Sequence, residues 1–242
     1  MKKGKIYGVG LGPGDSELIT VKAEKIIRKS EYLFFFKKKG NKGRAFEIVE
    51  NIIRKDAIKV SLEYPVTTEV HFSSKEYKVL LNEFYRKCVK KIQIILNKNI
   101  DICILCEGDP LFYGSFIHLY EKLKNNFEID IVPGITGMSG AWTATKIPMI
   151  WGKQILTVLM GTLDEETLRK HIKITDGLVI MKIGKNFKKI CKILKDEGAF
   201  NNAYLISNAT TSLEKVTKLN ENVHNSVPYF SIILINKFME KM

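Results

Sequence analysis

The sequence has no apolar stretch of roughly 18 uncharged residues, the length that a membrane-spanning helix needs. Residues 1–4 lead directly into a strand-like segment rather than into a secretory signal, so the expected location is the cytoplasm. With 17 glycines and 6 prolines among 242 residues, the chain has too few of either for a collagen-like or low-complexity protein. Because 45% of the residues are hydrophobic, it can bury a sizeable core in one large domain or two compact ones.

Cysteine and histidine are also scarce, with four of each. Four cysteines in a chain this long favour a reducing compartment over a disulfide framework. Cys103 and Cys106 form a Cys-x-x-Cys, but residues three apart on a strand point to opposite faces, which argues against a redox or metal site. The histidines lack metalloprotease spacing, so the sequence predicts no metal site. They are His71, His118, His171 and His224.

Positive charge is in surplus: 39 Lys and Arg against 26 Asp and Glu give a net charge of +13. Such a surplus indicates an anionic partner, which could be nucleic acid, an acidic membrane or a polyacidic small molecule. The lysines are scattered along the chain without the interleaved aromatics of single-strand binders. A generally basic surface is therefore a better interpretation than a nucleic-acid footprint.

Strand-length apolar runs alternate with longer helical patterns over the first half of the chain, which predicts an α/β fold with a five-stranded, mostly parallel sheet. The connections are long enough for parallel crossovers. We expect strands at residues 5–9, 32–36, 58–62, 100–106 and 128–132. We expect helices at residues 16–29, 44–54, 73–96 and 113–124.

A second sheet is predicted beyond residue 137. A short helix at residues 136–145 is followed by strands at 155–159 and 178–182, and residues 203–235 contain strand runs without long helices between them. Such runs suggest antiparallel hairpins in a mixed sheet. We therefore expect two α/β domains, residues 1–136 and 137–242.

Two glycine-containing loops follow predicted strands, where open parallel sheets bind ligands. The first, GVGLGPGD at residues 8–15, matches neither a dinucleotide fingerprint, which would need glycine at Pro13, nor a P-loop. It could equally be a tight turn in which Asp15 or Ser16 caps the next helix. The second, EGDPLFYGS at residues 107–115, combines a permissive Gly108 with the carboxylate of Asp109, which could instead cap the following helix.

A third loop, VPGITGMSGAW at residues 132–142, completes a set that resembles the tetrapyrrole methylases, which use S-adenosylmethionine (SAM). The family pattern opens with GxGPGD and a helix start L-I/L-T, and this chain reads GVGLGPGDSELIT from residue 8 to residue 20. The second family signature, GDP followed by aromatics and a small residue, matches residues 108–114, and VPG-I/V-T/S matches residues 132–136. Within the family, EGDPLFYGSF, SGAW, LTVLMGTL and PYFSIILI resemble the members that methylate carbon 20 of precorrin-2, metal-free or cobalt-bound.

The resemblance implies two α/β domains with SAM in the cleft between them, a homodimer, and a polycarboxylated tetrapyrrole substrate that would account for the basic surface. Carried over residue by residue, it implies ten cofactor contacts. They are Gly10, Pro13, Glu107, Gly108, Asp109, Phe112, Thr136, Gly137, Met181 and Ala209.

Methyl transfer from a sulfonium needs no acid at the leaving group, so positioning and water exclusion should dominate catalysis. The proton lost from the methylated carbon needs an acceptor, and Asp109 is the candidate base, or else a carboxylate that holds the cofactor. Lysines and Arg44 could clamp the substrate carboxylates. The alternatives are methylation of another tetrapyrrole carbon, a diphthine-synthase-like protein methylase, and a basic nucleic-acid-binding module without catalysis.

Overall fold

The computed structural model describes residues 2–65, 74–220 and 227–237. The chain divides into two compact units, Met1–Thr136 and Gly137–Met242. Two of the four histidines, His71 and His224, lie outside the described residues. None of the helices in the described ranges is both long enough and apolar enough to cross a membrane.

The first unit is built on a sheet of five parallel strands in the order β3-β2-β4-β1-β5. This arrangement confirms the predicted five-stranded parallel sheet. It places the carboxyl ends of the neighbouring strands β4, β1 and β5 at one edge. The strands are β1 (Ile6–Gly10), β2 (Tyr32–Lys38), β3 (Ile58–Tyr64), β4 (Ile102–Cys106) and β5 (Ile129–Val132).

In the described part of this unit, four helices cover the two faces of the sheet. They are α1 (Val21–Lys29), α2 (Arg44–Val49), α3 (Lys75–Leu96) and α4 (Phe116–Leu123). The prediction of helix over residues 16–20 was wrong, because Ser16–Leu18 is a separate 3-10 turn and Thr20, in extended conformation, caps α1 by accepting a hydrogen bond from the amide of Ala23. The prediction that α4 begins at Tyr113 was also wrong, since Tyr113 has a left-handed φ of 54° and the helix begins three residues later. The prediction that α2 runs to residue 54 was wrong as well, because the helix ends at Val49 and turns follow it.

Two apolar layers stabilise the first unit, one on each face of the sheet. Phe34 and Ile104 pack with α3 and α4 on one face, whereas Leu33 and Leu105 pack with α1 and α2 on the other. Cys106 belongs to the first layer and Cys103 to the second, which confirms that the two thiols point to opposite faces. Burial raises the pKa of Cys103 to about 12, so this thiol is an unreactive core residue.

The second unit has a mixed sheet in the order β6-β7-β10-β8-β9, in which only β6 and β7 pair in parallel. The mixed sheet was predicted and is confirmed. Because β7 and β8 both run antiparallel to β10, the strands β6, β7 and β8 end at the same edge. The strands are β6 (Leu156–Met160), β7 (Gly177–Met181), β8 (Ala203–Ser207), β9 (Lys215–Lys218) and β10 (Ser231–Asn236).

Within residues 137–220 and 227–237, three helices flank the second sheet: α5 (Gly137–Thr145), α6 (Glu165–Ile174) and α7 (Phe187–Asp196). The helices α6 and α7 bury Leu168 and Ile190 against one face of the sheet. On the other face Ala141 of α5 packs against Ile206 and Leu234. Both faces of the sheet are therefore covered within the unit, and its strands are fixed for the loops that follow them.

Candidate functional site

Three loops leave the carboxyl ends of adjacent strands in the first unit: loop 1 (residues 11–15) after β1, loop 2 (107–115) after β4 and loop 3 (133–136) after β5. Main-chain hydrogen bonds join loops 1 and 2. The amide of Leu11 donates to the carbonyl of Cys106 over 2.9 Å, and the amide of Gly108 donates to the carbonyl of Gly12 over 2.8 Å. The sheet thus brings together the three motifs that carry the family resemblance.

Gly10, Gly108 and Gly134 form a contact of three backbones, which we call the glycine junction. A β-carbon on Gly134 would lie 2.1 Å from the carbonyl oxygen of Gly108, and one on Gly10 would lie 2.5 Å from the amide nitrogen of Gly134. Real β-carbons do not approach other atoms so closely, so no side chain fits at either position. Gly134 was not among the predicted contacts, although it stands inside the VPG segment that carried the resemblance.

Asp109 lies beside the glycine junction and ties loop 2 to loop 3. Its Oδ1 accepts a hydrogen bond from the amide of Leu111 over 2.9 Å, and its Oδ2 accepts one from the amide of Gly134 over 3.1 Å. The first bond closes a local turn at Leu111, but the helix begins only at Phe116. The carboxylate therefore caps a turn and bridges two loops, and two amide dipoles stabilise its charge.

Glu107, at the start of loop 2, forms an ion pair with Arg44, the first residue of α2. Nε of Arg44 lies 3.3 Å from Oε1 of Glu107, and its Nη2 donates to the carbonyl of Pro13 over 3.4 Å. The two side chains are only 15% and 29% exposed. Burial raises the pKa of Glu107 to about 7, the positive charge of Arg44 opposes this rise, and Glu47 adds to it. Arg44, expected as a substrate clamp, is thus engaged with its own chain.

The remaining predicted contacts of the first unit adjoin this group. Phe112 lies in loop 2 and packs edge to face against Tyr113, with ring centroids 4.8 Å apart. Thr136 is the last residue of loop 3 and is half-buried. The first unit therefore gathers most of the predicted contacts at one sheet edge. They are Gly10, Pro13, Glu107, Gly108, Asp109, Phe112 and Thr136.

The predicted contacts of the second unit also follow strands. Met181 ends β7, and its carbonyl accepts a hydrogen bond of 2.7 Å from the amide of Gly161, just beyond β6. Ala209 follows β8 and packs against the α5 face. Gly137 begins α5. Because β6, β7 and β8 end at the same edge, the topology places Met181 and Ala209 at that edge.

Left-handed backbone at non-glycine residues is a feature that sequence reasoning missed. Six non-glycine residues in the described ranges have φ between 50° and 64°. Four of them adjoin predicted contacts: Tyr113 follows Phe112, Lys182 follows Met181, and Asn208 and Thr210 flank Ala209. The other two, Asn99 and Lys146, do not. Each such residue costs roughly 1–2 kcal/mol, and strain of this kind concentrates at functional sites. Asn208 carries a sequence signal, since asparagine tolerates this conformation, whereas nothing in the sequence marks Tyr113.

No group of three or more His, Cys, Asp or Glu side chains suited to a metal ion occurs in the part of the chain that the structure describes. The edge of the first sheet instead offers backbone amides and carbonyls, two carboxylates and an arginine. The glycine junction lets the main chain at Gly10, Gly108 and Gly134 pack backbone to backbone, which brings the three motifs together at this edge. This arrangement suits an organic ligand with several hydrogen-bonding groups.

Comparison with known proteins gives consistent matches along the chain. The family model described as Tetrapyrrole (Corrin/Porphyrin) Methylases matches residues 5–222. Precorrin-2 C(20)-methyltransferase of Sinorhizobium sp. is 38% identical over 232 residues, which cover 96% of this chain and 95% of that protein. Probable cobalt-precorrin-2 C(20)-methyltransferase of Methanocaldococcus jannaschii is 30% identical over 239 residues, covering 97% and 96%.

Solved structures show the same fold at lower identity. Uroporphyrin-III C-methyltransferase from Thermus thermophilus, complexed with S-adenyl homocysteine, is similar with a TM-score of 0.68 and 18% identity. The match covers 99% of this chain and 100% of that one.

Proposed function

The chain belongs to the tetrapyrrole (corrin/porphyrin) methylases, and from this membership we propose that it transfers a methyl group from SAM to carbon 20 of precorrin-2, metal-free or cobalt-bound, in cobalamin biosynthesis. The observation that carries this proposal is the 38% identity to a precorrin-2 C(20)-methyltransferase over 96% of the chain. The 30% identity to a probable cobalt-precorrin-2 C(20)-methyltransferase supports the same carbon and the cobalt-bound form of the substrate.

The edge of the first sheet has the features that a SAM site needs. The glycine junction allows the loops after β4 and β5 to pack against the end of β1, which holds the predicted contacts of these segments close together. The site also lies where parallel sheets bind nucleotide-like ligands, at the carboxyl ends of adjacent strands. We propose that all ten predicted contacts bind SAM.

Bound SAM supplies a methyl group that is already activated by the positive charge on its sulfur. The contribution of the protein is therefore to position the reactants and to exclude water. Loops 1 and 2 are suited to positioning because main-chain bonds hold them together at Gly12 and Gly108. In addition, the proton that leaves carbon 20 must be accepted by a base or by solvent.

Of the two roles considered for Asp109, its contacts support holding the site together over accepting the proton. Each carboxylate oxygen already accepts a backbone hydrogen bond, from Leu111 and from Gly134. Both oxygens are thus directed at main-chain amides of loops 2 and 3. We therefore propose that Asp109 fixes loops 2 and 3 in the arrangement that binds SAM.

The positive charge at the same edge of the sheet would complement the acetate and propionate groups of the substrate. Lys37, at the end of β2, pairs with Glu63 at 3.2 Å, and Lys42 pairs with Glu50 at 2.5 Å. Both pairs are partly exposed, and such pairs contribute only ~0–1 kcal/mol. An incoming substrate carboxylate could therefore replace either acidic partner at little cost.

We further propose a homodimer that works in the cytoplasm. The dimer rests on the family resemblance. The location is supported by the four cysteines, which are all free thiols. Light scattering of the purified protein tests the dimer, and fractionation of cells that express it tests the location.

The decisive experiment for the proposed function is to incubate the protein with SAM carrying a ¹³C-labelled methyl group and with each form of precorrin-2. The expected product carries one labelled methyl group at carbon 20, located by NMR, with one of the two forms turned over faster. A label at another carbon, or on an added protein substrate, would contradict the assignment. Failure of SAM to raise the melting temperature would point to the non-enzymatic alternative, because ligands that bind the native state stabilise it.

A further inference from the structure

We propose that Arg44 is a positioning residue of the SAM site: its guanidinium joins the Pro13 carbonyl of loop 1 to the Glu107 carboxylate of loop 2 and so holds the two loops in their binding arrangement. This inference rests on the proposed function, because Pro13 and Glu107 matter here as predicted SAM contacts. It assigns Arg44 a role in its own protein rather than on the substrate carboxylates.

The position of Arg44 in its own helix points to a role outside that helix. Arg44 is the first residue of α2, where the positive end of the helix dipole repels a cation. The residue before it is Gly43, which has no side chain that could cap the helix. Where a residue breaks a local rule, the compensation lies in other contacts or in function. The contacts of Arg44 with loops 1 and 2 supply that compensation.

The guanidinium is well placed to link the loops. Its side chain is 15% exposed, and it reaches Glu107 at 3.3 Å and the Pro13 carbonyl at 3.4 Å from two different nitrogens. A planar, forked donor can serve two acceptors at once, which the single ammonium of a lysine does less well. Arg44 therefore adds a side-chain link to the main-chain bonds between Gly12 and Gly108.

The ion pair between Arg44 and Glu107 also affects the ionisation of Glu107. Glu107 is largely buried, and burial favours its neutral form. The two charged groups that act on it both lie in α2: Arg44 favours the carboxylate and Glu47 opposes it. Removing the charge of Arg44 should therefore shift the ionisation of Glu107 to higher pH as well as loosen the loops.

The test measures the affinity for S-adenosylhomocysteine by calorimetry between pH 6 and pH 8.5, in the wild type, R44K and R44Q. We expect the wild-type affinity to fall as the pH drops through about 7, because Glu107 then loses its charge. R44Q should bind roughly 10- to 100-fold more weakly at pH 8, as expected for a lost charge-assisted hydrogen bond, with its pH midpoint moved upward. R44K should keep a midpoint near that of the wild type and recover part of the affinity.

Arg169 offers a matched control in the second unit. Its side chain is 26% exposed and pairs with Glu165, Asp196 and Glu197. R169Q should lower the melting temperature without changing the affinity or the midpoint, which separates positioning from general destabilisation.

The outcomes distinguish this inference from the function on which it rests. If the wild type does not bind S-adenosylhomocysteine, the proposed function fails. If the wild type binds and R44Q binds equally with the same midpoint, the role of Arg44 is overturned. Should R44Q not fold, R44K decides: a lysine serves the two acceptors less well, so an affinity equal to that of the wild type at pH 8 would overturn the proposal.

Discussion

The amide of Gly134 donates a hydrogen bond of 3.1 Å to Oδ2 of Asp109, across 25 residues of sequence. This bond joins two loops that leave strands on opposite sides of β1. The other oxygen of the same carboxylate accepts the amide of Leu111. The acidic residue that the sequence singled out for catalysis is thus part of the scaffold that shapes the site.

The first prediction follows from this pair of bonds. In D109N one carboxylate oxygen becomes an NH₂ group, which would face an amide donor, so one bond is lost and two donors oppose each other. We expect S-adenosylhomocysteine to bind about tenfold more weakly and the free energy of unfolding to fall by ~1–3 kcal/mol. Calorimetry and denaturant unfolding measure the two quantities.

The turnover rate distinguishes a residue that holds loops 2 and 3 together from a general base. At saturating SAM, kcat of D109N should stay within a few-fold of the wild-type value. A loss of ~10²- to 10⁴-fold in kcat with unchanged affinity is expected when a general base is missing. That result would identify Asp109 as the general base.

The second prediction concerns the glycine junction. In G134A the new β-carbon would lie 2.1 Å from the carbonyl oxygen of Gly108, so loops 2 and 3 must separate. We expect a loss of ~1–3 kcal/mol in stability, as for overpacked sites, and loss of cofactor binding by calorimetry. G114A is the matched control in loop 2, since its β-carbon would meet nothing closer than 3.4 Å. Equal effects of the two substitutions would refute the packing argument.

Much of the fold could be predicted from the sequence because each element carries its own signal. The buried strand β4 is a continuous apolar run, and α3 shows helical periodicity over 22 residues. Two of the errors fell where a single residue sets the backbone. Thr20 begins α1 by an extended cap, and the left-handed Tyr113 delays α4, and neither effect appears in a hydrophobic pattern.

Several residues of the candidate site could be identified from the sequence, but the contacts between them could not. Motif resemblance indicated Pro13, Glu107 and Asp109, and the parallel sheet explains why their loops meet at one edge. The resemblance did not indicate that Arg44, in a helix after β2, would pair with Glu107. That contact spans 63 residues and depends on strand order.

The third prediction tests the backbone of Gly108, which has a φ of 69°. In G108A an L-residue in this conformation costs about 1–2 kcal/mol, and relief of that strain would displace the groups that bond to Gly12. We expect the fold to persist and S-adenosylhomocysteine to bind about tenfold more weakly, because ~1.4 kcal/mol corresponds to tenfold.

Gly198 provides the control for backbone strain alone. It has a φ of 66°, and a β-carbon there would meet no atom within 4 Å. G198A should therefore lose a similar amount of stability, while its affinity for S-adenosylhomocysteine stays unchanged. Normal affinity in G108A would reduce Gly108 to a turn residue without influence on the site.

The fourth prediction uses the pKa of Glu107, which burial raises from 4.5 to about 7. In the folded protein the carboxyl therefore keeps its proton over a pH range in which the unfolded chain has lost it. Since the folded state binds more protons there, the free energy of unfolding must fall as the pH rises from about 4.5 to about 7. The full contribution is up to about 3 kcal/mol, because each pKa unit corresponds to ~1.4 kcal/mol.

E107Q removes this dependence because glutamine does not ionise. Measured by urea unfolding without ligand, E107Q should be more stable relative to the wild type at pH 8 than at pH 5, by ~1–3 kcal/mol. E63Q removes one negative charge from a more exposed carboxylate at the end of β3 and serves as the control for the loss of a carboxylate. If E107Q shows the same difference as E63Q, Glu107 is ionised as readily in the folded protein as in the unfolded chain. The burial of this carboxylate would then have no electrostatic consequence, and the ion pair with Arg44 would have to be understood as a surface contact.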